Sequence, residues 1–265
     1  MPTTSDAAVR SAGEEVLVLR DVSVRFRVPK ERVYTFKEFA IHWLRGRVVY
    51  EQLDALSHLN LTVRRGEQVG IIGRNGAGKS TLLKVIARVL RPTAGSVMVR
   101  GRVAPLLELG AGFDMELSGR ENVFLNGAIL GRHRKQIEER FDAIVRFAEL
   151  AEFIDAPLRT YSTGMVGRLG FAVATDVDPD ILLVDEGLAV GDLAFQAKCF
   201  DRMHQFVQRQ TTLILVSHSP HAIKALCQRA IWIDAGRIVA DGPCAEVVDA
   251  FVAQTVPAEP ASGAA

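Results

Sequence analysis

The chain has 265 residues, 48% of them hydrophobic, and 32 Lys and Arg against 31 Asp and Glu leave a formal net charge of +1. That length allows one large domain, or one plus a subdomain, and the apolar share supports a sizeable core. Balanced charge provides no global field toward nucleic acid or anionic lipid, which argues, if only weakly, against a dedicated DNA binder.

Residues 1–14 are small and polar and are expected to be disordered. Val16 to Val28 (VLVLRDVSVRFRV) alternates and is rich in Val and Phe, which predicts a strand whose alternation ends at Phe26. Next, Phe36, Phe39, Ala40, Trp43 and Leu44 fall on one helical stripe after Thr35, a possible N-cap. The stripe either packs on the protein's own sheet or docks on a membrane-embedded partner or the headgroup layer. Residues 52–65 read as a second strand.

Val69-Gly70-Ile71-Ile72 is an apolar run and predicts a buried strand. Gly73-Arg74-Asn75-Gly76-Ala77-Gly78-Lys79-Ser80 follows, the pattern G-x-x-x-x-G-K-[ST], and Leu82 to Leu90 then has helical spacing. Strand, glycine loop and helix form the context in which such a loop cradles phosphates. Glycines let backbone N–H groups turn inward around an anion, and the helix N-terminus adds partial positive charge. Lys79 can reach the outer phosphates, and Ser80 can hold Mg²⁺.

Pro92 to Gly95 reads as a turn and Ser96–Arg100 as a short strand. From 118 to 157 the reading is helical. Ser118 with Glu121 fits a capping box, and Ile137 to Phe153 keeps helical periodicity. The run Arg132-His133-Arg134-Lys135 reads as a solvated helix start rather than a nucleic-acid contact, because no aromatic platform is interleaved. Ile181 to Val184 is an apolar strand ending in Asp185-Glu186. Leu193 to Arg209 is helical. Thr212 to Ser217 is a buried strand ending at His218. Ala230–Asp234 and Arg237–Ala240 form a hairpin, Glu246 to Ala253 is a last helix, and 256–265 is a low-complexity tail expected to be disordered.

Four apolar strands, at 21–26, 69–72, 181–184 and 212–216, therefore end at candidate chemistry, and in open parallel sheets ligands sit at strand carboxyl ends. Asp185 is placed to hold a metal's water shell beside Ser80. Glu186 is placed to accept a proton from an attacking water, unless it is a plain strand-end carboxylate. His218 alone could be a buried, satisfied histidine; its position favours a γ-phosphate contact. Cys199, Cys227 and Cys244 are odd in number, far apart and without metal-ligand spacing, so they read as reduced core thiols of a cytosolic protein. No apolar run reaches the roughly 18–20 residues that span a bilayer, and no signal peptide is visible.

Tyr161-Ser162-Thr163-Gly164-Met165, followed by Arg168, resembles the ABC signature usually written LSGGQ. Together with Gly73–Thr81, Ile181–Glu186, Gly191-Asp192 and Ser217-His218, the chain resembles an ABC-transporter ATPase subunit. More narrowly, LLELGAGF (106–113), SGREN (118–122), VDEGLAVGD (184–192), FQAKC (195–199) and Leu226-Cys227 are similar to the ATP-binding subunit of ABC-2 type polysaccharide exporters, which handle O-antigen, capsule or teichoic-acid chains. The resemblance implies an α/β P-loop fold over 15–255, with a mixed sheet core, an antiparallel β flank and a helical subdomain at about 115–175.

It further implies ATP and Mg²⁺ as cofactors, with Ser80 and Asp185 at the metal. Phe26 would stack on adenine. Glu186 and His218 would be catalytic. Ser162, Thr163, Gly164 and Met165 would act on the nucleotide of a second copy, and Asp192 would lie at that dimer interface. The partners implied are a homodimeric copy and a transmembrane permease, with polysaccharide met mainly through the permease, no nucleic acid, and a place at the cytoplasmic face of the inner membrane. Two departures stand out: Thr163 and Met165 replace the second glycine and the glutamine of the signature, and the glutamine usual after Gly101 is missing, with Glu108 or Leu109 near its place. Gly110 to Phe113 is either a glycine turn or a loop facing the transmembrane partner. Alternatives remain an exporter of another substrate, a non-transport ABC-type ATPase, and a small-molecule kinase on the same phosphate loop.

Overall fold

The structure, a computed structural model, describes residues 13–29, 50–107, 109–186 and 190–255. The stripe at 36–44, Glu108, residues 1–12 and the tail 256–265 lie outside the described residues.

Nine strands and seven α-helices occur among the described residues. The strands are β1 Glu15–Pro29, β2 Tyr50–Arg64, β3 Gln68–Ile72, β4 Ala94–Val99, β5 Val103–Leu106, β6 Ile181–Asp185, β7 Thr212–Val216, β8 Arg229–Asp234 and β9 Arg237–Pro243. The helices, numbered here in chain order, are α1 Lys79–Ile86, α2 Gly119–Ile129, α3 Arg134–Ala148, α4 Thr163–Thr175, α5 Leu193–Gln208, α6 Pro220–Leu226 and α7 Cys244–Thr255.

Two sheets form. One is antiparallel, in the order β2-β1-β4. The other runs β5-β6-β7-β3-β8-β9 and is parallel except for β9. β3, β6 and β7 are nearly continuous apolar runs because both of their faces are covered. Their period of two divides the side chains between two cores. Ile71, Leu183, Ile214 and Ile233 enter a layer shared with α1 and the antiparallel sheet. Ile72, Leu182, Leu215 and Trp232 enter a layer shared with α4 to α7. A third apolar cluster joins α2, α3 and α4 through Val123, Ile137, Phe141 and Leu169. The three cysteines are free and buried, and burial pushes the Cys199 thiol up to about 12, so none is a ready nucleophile.

Several sequence expectations change. The helix after the phosphate loop stops at Ile86, because Arg88 adopts φ 60° and turns the chain. The helix expected to run to Phe153 ends at Ala148, where Glu149 caps it at φ 59°. Its periodicity seemed to continue because Leu150 and Ile154 re-enter the same cluster from a turn. The antiparallel sheet carries Phe26, so that residue does not come from a strand of the parallel sheet.

Arg132 is not solvated. Its side chain is only 17% exposed and donates to Asp176, which is itself 6% exposed, at 2.9 Å. Arg140 donates to the same carboxylate at 2.6 Å. Burial alone would push the Asp176 carboxyl up, but the hydrogen bonds and charges of Arg140 and Arg132 outweigh it and hold it below the usual range. A carboxyl lowered on folding stabilises the fold above its unfolded value, and that contribution disappears as pH falls through the folded value. Asp176→Asn is therefore expected to cost about 2–4 kcal/mol at pH 7, chiefly by leaving the largely buried Arg132 without its carboxylate. Denaturant titrations should show that gap shrink on acidification below about pH 4, the unperturbed Asp range.

Candidate functional site

Three neighbouring parallel strands, β6, β7 and β3, deliver their carboxyl ends side by side. The segments that follow them are the glycine loop, Glu186 and Ser217-His218. Phe26, Leu53, Asp54 and Ala55 from the antiparallel sheet close the opposite wall. The result is an open cleft of about 430 Å³, lined also by Asn75, Gly76, Gly78, Lys79, Ser80, Thr81, Glu186 and His218.

The loop needs its glycines for stated reasons. Gly78 sits at φ 106°, and a Cβ there would lie 2.5 Å from the Ala55 carbonyl oxygen. A Cβ on Gly73 would lie 2.2 Å from the Ile233 carbonyl oxygen. The loop is thus pressed between β2 and β8, which fixes its path. Ala77 is buried, and its N–H donates to the Arg74 carbonyl at 3.1 Å. Helix α1 begins at Gly78 without any side-chain cap. Its first-turn N–H donors are therefore offered to whatever occupies the cleft, together with the positive end of the helix dipole.

Lys79 is 6% exposed. Its ammonium donates to the carbonyls of Gly73 at 2.9 Å and Arg74 at 3.0 Å. Burial lowers its pKa, and Glu186 and Asp185 partly oppose that shift. The same ammonium thus faces both the loop and the two acids. Asp185 is half-buried, and its Oδ1 is buried without a hydrogen-bond partner. An orphaned carboxylate oxygen costs free energy unless a cation or water satisfies it. A hard cation with oxygen ligands fits that atom and the Ser80 hydroxyl. Mg²⁺ is commonly held by one or two protein oxygens plus phosphates and water. Among the described residues no cluster of three or more His, Cys, Asp or Glu could hold a metal by itself.

Glu186 follows β6 in the left-handed region, at φ 52°. Its N–H donates to the Val216 carbonyl at 3.0 Å, which holds the turn. Its Oε1 lies 2.7 Å from Nε2 of His218, with both side chains about half exposed to the cleft. A carboxylate oriented by an imidazole, across from an anion-binding loop, can take a proton from water attacking a bound phosphate.

The signature segment does not line this cleft. Ser162 caps α4, its Oγ accepting from the Met165 N–H at 3.2 Å, so Thr163, Gly164 and Met165 form the helix's first turn. Asp192 caps α5 by accepting from the Phe195 N–H at 2.9 Å, and it also accepts from Arg168 at 2.6 Å. The Phe195 N–H, then Arg168, hold its carboxyl below the usual range. Gly110 and Gly112 adopt φ 79° and 84°, and the Phe113 N–H closes a turn on Gly110. Sequence reasoning missed Leu53, Asp54 and Ala55. Leu53 is the cross-strand partner of Phe26, but that register only exists once the two strands pair.

A profile of the ABC transporter family matches residues 56–189. The chain is 48% identical over 212 residues to an O-antigen export system ATP-binding protein RfbB of Klebsiella pneumoniae, covering 80% of this chain and 85% of that protein. It is 47% identical over 238 residues to the protein of that name from Myxococcus xanthus, of which it spans 54%. A teichoic acids export ATP-binding protein TagH of Bacillus anthracis is 40% identical over 197 residues, 74% of this chain and 36% of that protein. Among solved structures, the ATP-binding cassette MJ0796 in a dimeric post-hydrolysis state bound to ADP and Pi superposes with a TM-score of 0.69 at 20% identity, covering 86% of this chain and 98% of the other.

Proposed function

We propose that this chain, which belongs to the ABC transporter family, is the ATP-hydrolysing subunit of an exporter of lipid-linked polysaccharide, of the O-antigen, capsule or teichoic-acid type. The observation that carries the enzymatic part is the cleft in which an uncapped helix start and Lys79 face a carboxylate paired with His218. The substrate class rests on the similarity to export ATP-binding proteins, 48% over most of one relative's length.

In this reading Phe26, 37% exposed at the cleft's edge, stacks on adenine. The α1 N–H groups and Lys79 hold the phosphates. Ser80 and Asp185 hold Mg²⁺, which supplies neutralisation of the phosphate charge. Glu186 takes the proton of the attacking water, and His218 orients Glu186 while contacting the γ-phosphate. Ser162, Thr163, Gly164 and Met165 complete the cleft of a second copy, and Asp192 lies beside that interface. Closure of the pair drives a separate transmembrane permease, and hydrolysis resets it. No helix among the described residues is long and apolar enough to cross a membrane. In this reading the chain works at the cytoplasmic face of the inner membrane through its partner.

Co-expression with a candidate ABC-2 type transmembrane permease is the test. The expected result is recovery of both proteins together from detergent extracts, with ATP turnover raised by the lipid-linked glycan. A chain that stays in the soluble fraction, with turnover indifferent to the glycan, overturns the transport reading.

A further inference from the structure

A larger cavity lies elsewhere. A cleft of about 800 Å³ opens at the amino ends of β5 and β6, between α5 and the turn joining α2 to α3. It lies at the opposite end of the sheet from the phosphate loop. β6 spans five residues, so at about 3.3 Å each the two sites are on the order of 13 Å apart or more.

Five arginines line it: Arg102, Arg132, Arg140, Arg202 and Arg209. The acids lining it are Asp176 and Asp178. Asp176 is already shared by Arg132 and Arg140. Asp178 is 74% exposed and comes no closer than 3.8 Å to Arg102, and Arg102 reaches Asp180 only at 3.9 Å. Those are ion pairs without hydrogen bonds from the Arg102 side chain. Arg209 is exposed, and its side chain makes no hydrogen bond or ion pair with any described residue. Arg202 is the most telling. Its guanidinium packs over the Phe147 ring at 4.5 Å, and its Nε is buried without a hydrogen-bond partner. Burial lowers its pKa, which marks it as a desolvated cation. A buried donor left unpaired on a charged group is costly unless a ligand or water meets it.

We propose that this cleft binds a small, multiply charged phosphate anion, such as a pyrophosphate or a compact organic phosphate, on Arg202, Arg209 and Arg102. The guanidinium fork matches phosphate oxygens, and three forks with unused donors suit a ligand with several anionic oxygens better than a single carboxylate. Val103, Ala104 and Phe206 form an apolar wall with room for an organic group. An occupant would tie α5 to the α2–α3 turn, on which Arg132 sits.

Calorimetric titration of the full chain with sodium pyrophosphate tests this. Wild type should show binding in two places, one of them the phosphate loop. Lys79→Ala should remove the loop event and leave the other. Adding Arg102→Gln and Arg209→Gln to Lys79→Ala should weaken the remaining event by at least about tenfold, the scale of a lost charge-assisted hydrogen bond. Both side chains are exposed, so thermal unfolding should barely move. Raising salt should also weaken the event. Loss of all binding in Lys79→Ala, or a remaining event indifferent to the two arginine changes, overturns the proposal.

Discussion

Replacing Glu186 by Gln is expected to lower ATP turnover by about 10²- to 10⁴-fold, the range for loss of a positioned general base, with ATP affinity within a few-fold of wild type. The reason is local. Gln is nearly isosteric, and its amide oxygen can still accept from His218 Nε2 at the 2.7 Å separation seen for Glu186. The left-handed backbone at φ 52° and the N–H bond to Val216 do not depend on side-chain charge. What vanishes is basicity. In this reading the nucleotide's holding groups are Lys79 and the uncapped start of α1, whose positions rest on the loop's own backbone contacts and stay intact. Lys79→Ala is the contrasting change, since it should fail in binding first. Single-turnover hydrolysis beside a nucleotide-binding titration separates the two effects. Wild-type turnover in Glu186→Gln would end the assignment of Glu186 as the base.

How legible this site was depends on which physical signal placed each part. The carboxyl ends of β3, β6 and β7 were readable because strands buried on both faces are unbroken apolar runs, and each run stops at its polar residue. The capping box at Ser118 and Glu121 was readable because it is local, and both of its bonds form. β5 was missed. It has four residues, contains Pro105 and lies at the sheet edge, where proline is tolerated but no alternation develops. α6 was missed as well, although Ser219 caps it and Pro220 occupies its first turn; with seven residues it has too few turns for a periodic signal. Arg132 looked like surface because its partner Asp176 stands 44 positions away. Long-range pairing also hid the Leu53 wall of the cleft. Local chemistry was therefore visible in the sequence, and the contacts that close cavities were not.

A mixture of two inactive variants is expected to regain activity, and this tests whether the signature works across copies. Gly164 is suited to the experiment. A Cβ built on it meets only ordinary contacts, the Ser162 Oγ at 3.8 Å and the Gly191 Cα at 4.0 Å. The chain's own fold therefore does not require glycine there. An acid in the first turn of α4 is also favoured by the helix dipole. Gly164→Asp should thus fold at least as well as wild type, and lose turnover only because its carboxylate repels a phosphate presented from outside the chain. Lys79→Ala should be inactive for an unrelated reason, on the opposite part of the chain. In a mixed dimer, one cleft carries both defects. The other pairs an intact phosphate loop with an intact signature. With random exchange between symmetric dimers, half would be mixed and each would hold one working cleft, so an equimolar mixture should recover about a quarter of wild-type turnover if the clefts act independently. If the signature served its own chain's cleft, every cleft in the mixture would keep one defect and nothing would return. Turnover measured against mixing ratio therefore distinguishes a shared cleft from a private one, with circular dichroism confirming that Gly164→Asp is folded.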